Sequence, residues 1–127
     1  MRFDGRVALI TAAASGIGRA TAGTIGAEGD TVVAVDIAPD RLERAVTEIR
    51  LSGAKAHAQC ADALDPKQVG RVVEETVGEF GRIDILVNAV GGSTIIERPA
   101  QARVICFLAS ADADFVTGVT IDVTGGL

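Results

Sequence analysis

Apolar runs of about five residues punctuate the chain, and between them apolar positions fall three and four apart. Short continuous runs read as strands buried on both faces, whereas the three-and-four spacing reads as helices burying one stripe. Strands are expected at residues 6–11 (RVALIT), 31–36 (TVVAVD), 55–61 (KAHAQCA), 84–89 (DILVNA) and 118–123 (GVTIDV). A helix over residues 15–28 opens at a glycine turn, and a second starts at Pro39-Asp40 with Leu42, Ala45, Val46 and Ile49 on one face. Asp65-Pro66 starts a third, Asp as N-cap and Pro in the first turn, leading to Val69, Val72, Val73, Val77 and Phe80. Pro99 opens a fourth through Val104, Ile105 and Leu108.

This βαβα rhythm is the signature of a parallel sheet covered by helices. Composition agrees: aromatic residues are 3 % of the chain, with no Trp and no Tyr, so the core must be built from Val, Ile, Leu and Ala. No repeat, low-complexity tract or linker divides residues 1–127, and one domain of this length buries roughly two-thirds of its unfolded surface.

A formal net charge of −5 and only two lysines, Lys55 and Lys67, speak against a nucleic-acid surface. The apolar run of the opening segment is too short for a membrane span or a signal peptide, so a soluble cytoplasmic protein with no membrane partner is expected. Cys60 and Cys106 lack metal-ligand spacing and are expected to be free thiols.

The candidate chemistry begins at TAAASGIG, residues 11–18, where the first strand meets the first helix. Gly16 and Gly18 allow close approach of a pyrophosphate, and the helix N-terminus supplies N–H groups and partial positive charge to hold it. Asp36 ends the second strand about twenty residues later, where a carboxylate can accept hydrogen bonds from ribose hydroxyls. Such a carboxylate repels a 2′-phosphate, so NAD(H) is expected over NADP(H), a preference that Arg19 or Arg41 would soften by reaching the 2′ position. The plainer alternative is that Asp36 only begins the next turn.

With these residues in place the chain resembles the short-chain dehydrogenase/reductase family of single-domain Rossmann oxidoreductases. The family's T-G-x-x-x-G-x-G stands here as Thr11-Ala12-Ala13-Ala14-Ser15-Gly16-Ile17-Gly18, with Ala12 in place of the first glycine. An alanine fits there if its φ is negative. The resemblance implies cofactor contacts from Thr11, Ala12, Ser15, Gly16, Ile17, Gly18, Asp36 and Ile37. It also implies an adenine contact from Asp62 with the Ala63 N–H beside it, in CADALD. LVNAVG resembles the family's L-V-N-N-A-G, which would put Asn88, Ala89 and Gly91 along the groove, Asn88 bracing Thr11. The alternative for Asn88 is that it only satisfies backbone groups at the strand end.

Residues 1–98 and 99–127 resemble two separate blocks of the family, the second closing at Gly125-Gly126. Family members pass a proton through a Tyr and Lys in Y-x-x-x-K spacing beside a Ser. This chain has no tyrosine, and both lysines precede residue 70, so no catalytic residue is assigned. Ser93 and Thr94 lack a base, His57 reads as structural, and Asp112 and Asp114 read as solvated.

By the family's strand order, the expected fold is a Rossmann-like three-layer α/β/α domain with a parallel sheet of five strands ordered 3-2-1-4-5. Residues 101–126 would carry a homo-oligomer contact. Three functions stay open: an NAD(H)-binding module without hydride transfer, a shortened NAD-dependent oxidoreductase acting on an alcohol or ketone, and a non-catalytic interaction remnant.

Overall fold

The computed structural model describes residues 5–89 together with Ile105, Cys106 and Ser110. The elements run β1 (Val7–Thr11), α1 (Gly16–Ala27), β2 (Thr31–Asp36), α2 (Pro39–Leu51), β3 (Lys55–Cys60), α3 (Pro66–Phe80) and β4 (Ile85–Val87). All the described strands pair in parallel, in the order β3-β2-β1-β4. The expected α/β architecture and four of its five strands are therefore in place, while the strand expected at residues 118–123 lies outside the described residues. So do residues 99–104 of the expected fourth helix, of which Ile105 and Cys106 are helical.

Every residue of β1 is buried, as a central strand covered on both faces must be. Alternation then splits its side chains between two cores. Ala8 and Ile10 join Val32, Ala34, Ile25 of α1, and Leu42, Val46 and Ile49 of α2, with Ile85, Val87 and Cys106 on the same face. Val7 and Leu9 join Val33, Val35 and Val72 of α3 on the other. The result is three layers, with α1 and α2 on one side of the sheet and α3 on the other. His57 belongs to the packing: its ring meets Phe80 edge-on at 4.8 Å. Cys60 is exposed, Cys106 is buried, and both are free.

Relative to the apolar runs β2 keeps its full length, β1 and β3 are each one residue shorter and β4 is three shorter, because pairing stops where the chain must turn. At the amino end of β1 two carboxylates replace ladder partners. Arg6 donates its backbone N–H to Asp30 at 2.9 Å, and Val7 donates to Asp84 at 2.9 Å. Asp84 also accepts from Arg82 at 2.6 Å. This hydrogen bond and the Val7 N–H hold the Asp84 carboxyl below the usual carboxylate range. Asp65, the N-cap of α3, is lowered as well, by the Gln68 side chain and the Lys67 N–H.

Both folded-state pKa values lie below the unfolded value of about 3.9. The stability they contribute is present above that value and is lost as pH falls through the folded pKa. Thermal midpoints should be flat from neutrality to about pH 5 and then fall. Asp84→Asn should flatten part of that acid limb; an unchanged limb would show that these bonds do not link folding to protons.

Candidate dinucleotide-binding site

The candidate residues collect at the carboxyl edge of the sheet, where β1, β2, β3 and β4 all end. The turn between β1 and α1 is held from the neighbouring strand. Ala13 donates its N–H to the Val35 carbonyl at 3.0 Å, and Ala14 donates to Asp36 Oδ2 at 3.1 Å. With these two anchors the chain reverses so tightly that Ala12 adopts φ +52°, the left-handed region. The condition under which an alanine fits, a negative φ, is therefore not met at Ala12: the position asks for the glycine that the family pattern has there.

For an L-residue the left-handed region costs roughly 1–2 kcal/mol. Ala12→Gly should remove that strain at the expense of about 0.5–1 kcal/mol of added unfolded-state freedom. A net gain of about 0.5–1 kcal/mol is expected as a higher urea midpoint with unchanged slope. A lower midpoint would contradict the strained turn.

Gly16 also has positive φ, +61°. Gly18 is required for a different reason, close approach. A Cβ there would lie 2.9 Å from the Thr11 carbonyl oxygen and 2.8 Å from the Ala12 carbonyl carbon, and closer still to that carbonyl's oxygen. The absent side chain lets the first turn of α1 sit directly on the loop. That helix start carries no side-chain cap from Ser15 and no acidic residue in its first turn, in contrast to α3, where Asp65 accepts from Lys67 at 3.0 Å. The first N–H groups of α1 thus keep their partial positive charge for an anion.

Asp36 is 8 % exposed, and both its oxygens are in use: Oδ2 accepts from Ala14, and Oδ1 accepts from Ala38 at 3.0 Å. It therefore does build the turn, as its plainer reading held, and it also welds the glycine loop to the entry of α2. Each oxygen keeps a second lone-pair direction for a ligand hydroxyl.

A cleft of about 280 Å³ brings Ala12, Asp36, Ile37, Asp62 and Ala63 together, with Leu64 at its rim. Ile37 is 63 % exposed and Leu64 78 % exposed, so two large apolar side chains of its lining stand largely free. Asp62 shapes its own loop: Oδ1 accepts the Leu64 N–H at 2.9 Å, and its backbone N–H donates to Gln68 at 2.8 Å.

Thr11 and Asn88 lie beside this cleft, at the mouth of an apolar cavity of about 250 Å³ under α3. Thr11 is braced, but not by the Asn88 side chain, which is exposed. Its hydroxyl donates to the Val87 carbonyl at 3.4 Å and accepts the Ala89 N–H at 3.0 Å, joining the ends of β1 and β4 through backbone groups on either side of Asn88. Gly91 lies outside the described residues.

Sequence reasoning missed Ala14, Ala38, Leu64 and Gln68. The first two act through backbone N–H groups, to which their side chains give no clue. Gln68 was findable, since Asp65-x-x-Gln68 is a capping-box spacing. Among the described residues no cluster of His, Cys, Asp and Glu could hold a metal ion, and no helix is long and apolar enough to cross a membrane.

Known proteins share this arrangement. The short chain dehydrogenase family profile matches residues 6–123. A 3-oxoacyl-[acyl-carrier-protein] reductase, FabG, of Thermotoga maritima is 44 % identical over 91 residues, which are 72 % of this chain and 37 % of the relative. A hydroxysteroid dehydrogenase structure from Escherichia coli superposes with TM-score 0.69 at 36 % identity, covering 72 % of this chain and 39 % of that one. A short chain dehydrogenase/reductase from Burkholderia phymatum, solved in complex with NAD, gives TM-score 0.64 at 34 % identity over 68 % of this chain and 31 % of its own. The chain thus spans little more than a third of the length of the first curated relatives it matches. From the glycine turn to the parallel sheet and the profile match, this chain belongs to the short chain dehydrogenase family.

Proposed function

We propose that the chain binds NAD(H) at the carboxyl edge of its sheet and, as a 127-residue chain, does not transfer hydride. The observation that carries the binding half is the uncapped α1 N-terminus, reached through a side-chain-free Gly18, with the Asp36 carboxylate fixed beside it. The pyrophosphate would lie over Gly16, Ile17 and Gly18, the ribose hydroxyls on Asp36, and the adenine between Ile37 and the Asp62-Ala63 loop, with Asn88 and Ala89 bordering the groove. The relative solved in complex with NAD supports this choice of cofactor. Taken by itself, Asp36 favours NAD(H) over NADP(H).

The second half rests on the sequence. With no tyrosine and both lysines on the β3–α3 side, the chain holds no Tyr/Lys pair to move a proton to or from a substrate oxygen. NADH mixed with the purified chain and a panel of ketones should stay unoxidised above a no-protein control. Measurable oxidation would favour the alternative, an oxidoreductase acting on an alcohol or ketone.

Self-association through residues 101–126 is supported by the apolar run VICFLAS in the sequence there.

A further inference from the structure

The cavity of about 250 Å³ beneath α3 is walled almost wholly by hydrocarbon. Leu9 and Val35 of the sheet and Val72 of α3 line it and are buried. Val69, Val73 and Leu86 line it too but stay 38 %, 37 % and 59 % exposed, so it opens to solvent between α3 and β4. The cavity shares Val35, Ala61 and Ala63 with the dinucleotide groove, while the rest of its lining comes chiefly from α3 and β4. Among the described residues no charged side chain lines it.

Its two polar members differ. The Thr11 hydroxyl donates to the Val87 carbonyl and accepts the Ala89 N–H, so it is committed to the strand ends. Asn88 is exposed, and its side-chain amide makes no hydrogen bond among the described residues. One amide thus offers a donor and an acceptor at the surface of an otherwise apolar chamber.

These features select an occupant. Water gains little there, because a buried water needs several polar partners. An apolar cavity of about 150 Å³ stays dry and takes up benzene, so in proportion this one accommodates about ten non-hydrogen atoms. Hydrocarbon entering it leaves water and gains dispersion contacts with packed walls. A carboxylate or ammonium entering it would lose hydration with no opposite charge to replace it. A protein laid across the opening would meet Lys67, Arg71, Glu74, Glu75 and Glu79, all exposed on α3, whereas interface centres are poor in charge. A small molecule held inside leaves those charges in water.

We propose that this cavity binds a neutral, largely hydrocarbon molecule of about ten non-hydrogen atoms bearing one hydroxyl or carbonyl group. Its chain lies beneath α3 and its oxygen meets the Asn88 amide. This goes beyond the dinucleotide reading and does not depend on it.

Amide and methyl NMR of the full chain titrated with 1-octanol, with no cofactor present, tests it. Saturable shifts are expected at Leu9, Val72, Val73 and Leu86, with Kd below about 1 mM. Octanoate, the same chain ending in a carboxylate, should bind about tenfold more weakly or worse. Val73→Phe and Leu86→Phe add bulk at partly exposed lining positions, and circular dichroism confirms that each keeps the fold. Each should weaken 1-octanol by about tenfold or more, because a close-packed site has no room to spare. Asn88→Ala should weaken it about fivefold through the lost hydrogen bond. Sedimentation velocity should give the same mass for the unaltered chain and for Leu86→Glu. Absence of saturable binding, octanoate binding as tight as 1-octanol, retained binding in the phenylalanine variants or no effect of Asn88→Ala would overturn the proposal. So would an oligomer that Leu86→Glu dissociates, since a second copy would then cover this face.

Discussion

Gly18→Ala should unfold the turn or force it apart, with a loss of about 3 kcal/mol, at the upper end of ordinary overpacking. The added methyl group meets backbone: the carbonyls of Thr11 and Ala12, neither of which can rotate away as a side chain can. Relief requires lifting α1 off the loop, which takes Ala22 and Ile25 out of their core. The thermal midpoint should drop by roughly 10 °C, and NADH affinity should fall at least tenfold because the first N–H groups of the helix are displaced. Gly78→Ala is the control. Gly78 lies within α3 with open space where its Cβ would go, so the same substitution should stabilise by up to about 1 kcal/mol. Comparable gains at both positions would show that helix propensity, and not close approach, governs Gly18.

Asp36→Ala should reduce both stability and binding. It strips the acceptor from two N–H groups, those of Ala14 and Ala38, at a position only 8 % exposed. Leaving such donors unpaired, with a charged acceptor lost, is expected to destabilise by roughly 2–3 kcal/mol. NADH affinity, measured at a temperature where the variant remains folded, should drop more than tenfold. Asp36→Asn separates the roles, because the amide oxygen can still accept one N–H while the charge is gone. Its stability should fall between those of the parent and the alanine variant. A fully stable Asp36→Ala protein would refute the keystone role of this carboxylate in the turn.

Much of this was legible in the order of residues because it depends on burial. Continuous apolar runs such as TVVAVD can only be central strands, and the three-and-four spacing in RLERAVTEIR can only cover one sheet face with Leu42, Val46 and Ile49. Strand ends were less legible: DILVNA reads as six residues, yet pairing spans Ile85–Val87, because Asp84 turns its carboxylate onto Val7 and the Ala89 N–H leaves the ladder for the Thr11 hydroxyl.

At the candidate site, structural features that follow from side-chain type were legible directly, the positive φ of Gly16, the close approach at Gly18 and the carboxylate of Asp36 among them. Residues that act through backbone geometry were not. The left-handed Ala12 and the N–H donors of Ala14 and Ala38 follow from how the turn is anchored to β2, a tertiary constraint that local pattern does not encode. Arg19 and Arg41 drew notice in the sequence, but the cleft they line with Arg44 follows only from the packing of α1 beside α2.

The central claim is that a dinucleotide occupies the carboxyl edge of this sheet, and two-dimensional amide NMR of the 127-residue chain titrated with NADH tests it most directly. The account predicts saturable shifts of the amides of residues 13–18, Ala38, residues 62–64 and Ala89, with the opposite edge at Arg6, Asp30 and Asp84 unmoved. Spectra unchanged up to millimolar NADH, or shifts centred on that opposite edge, would contradict it.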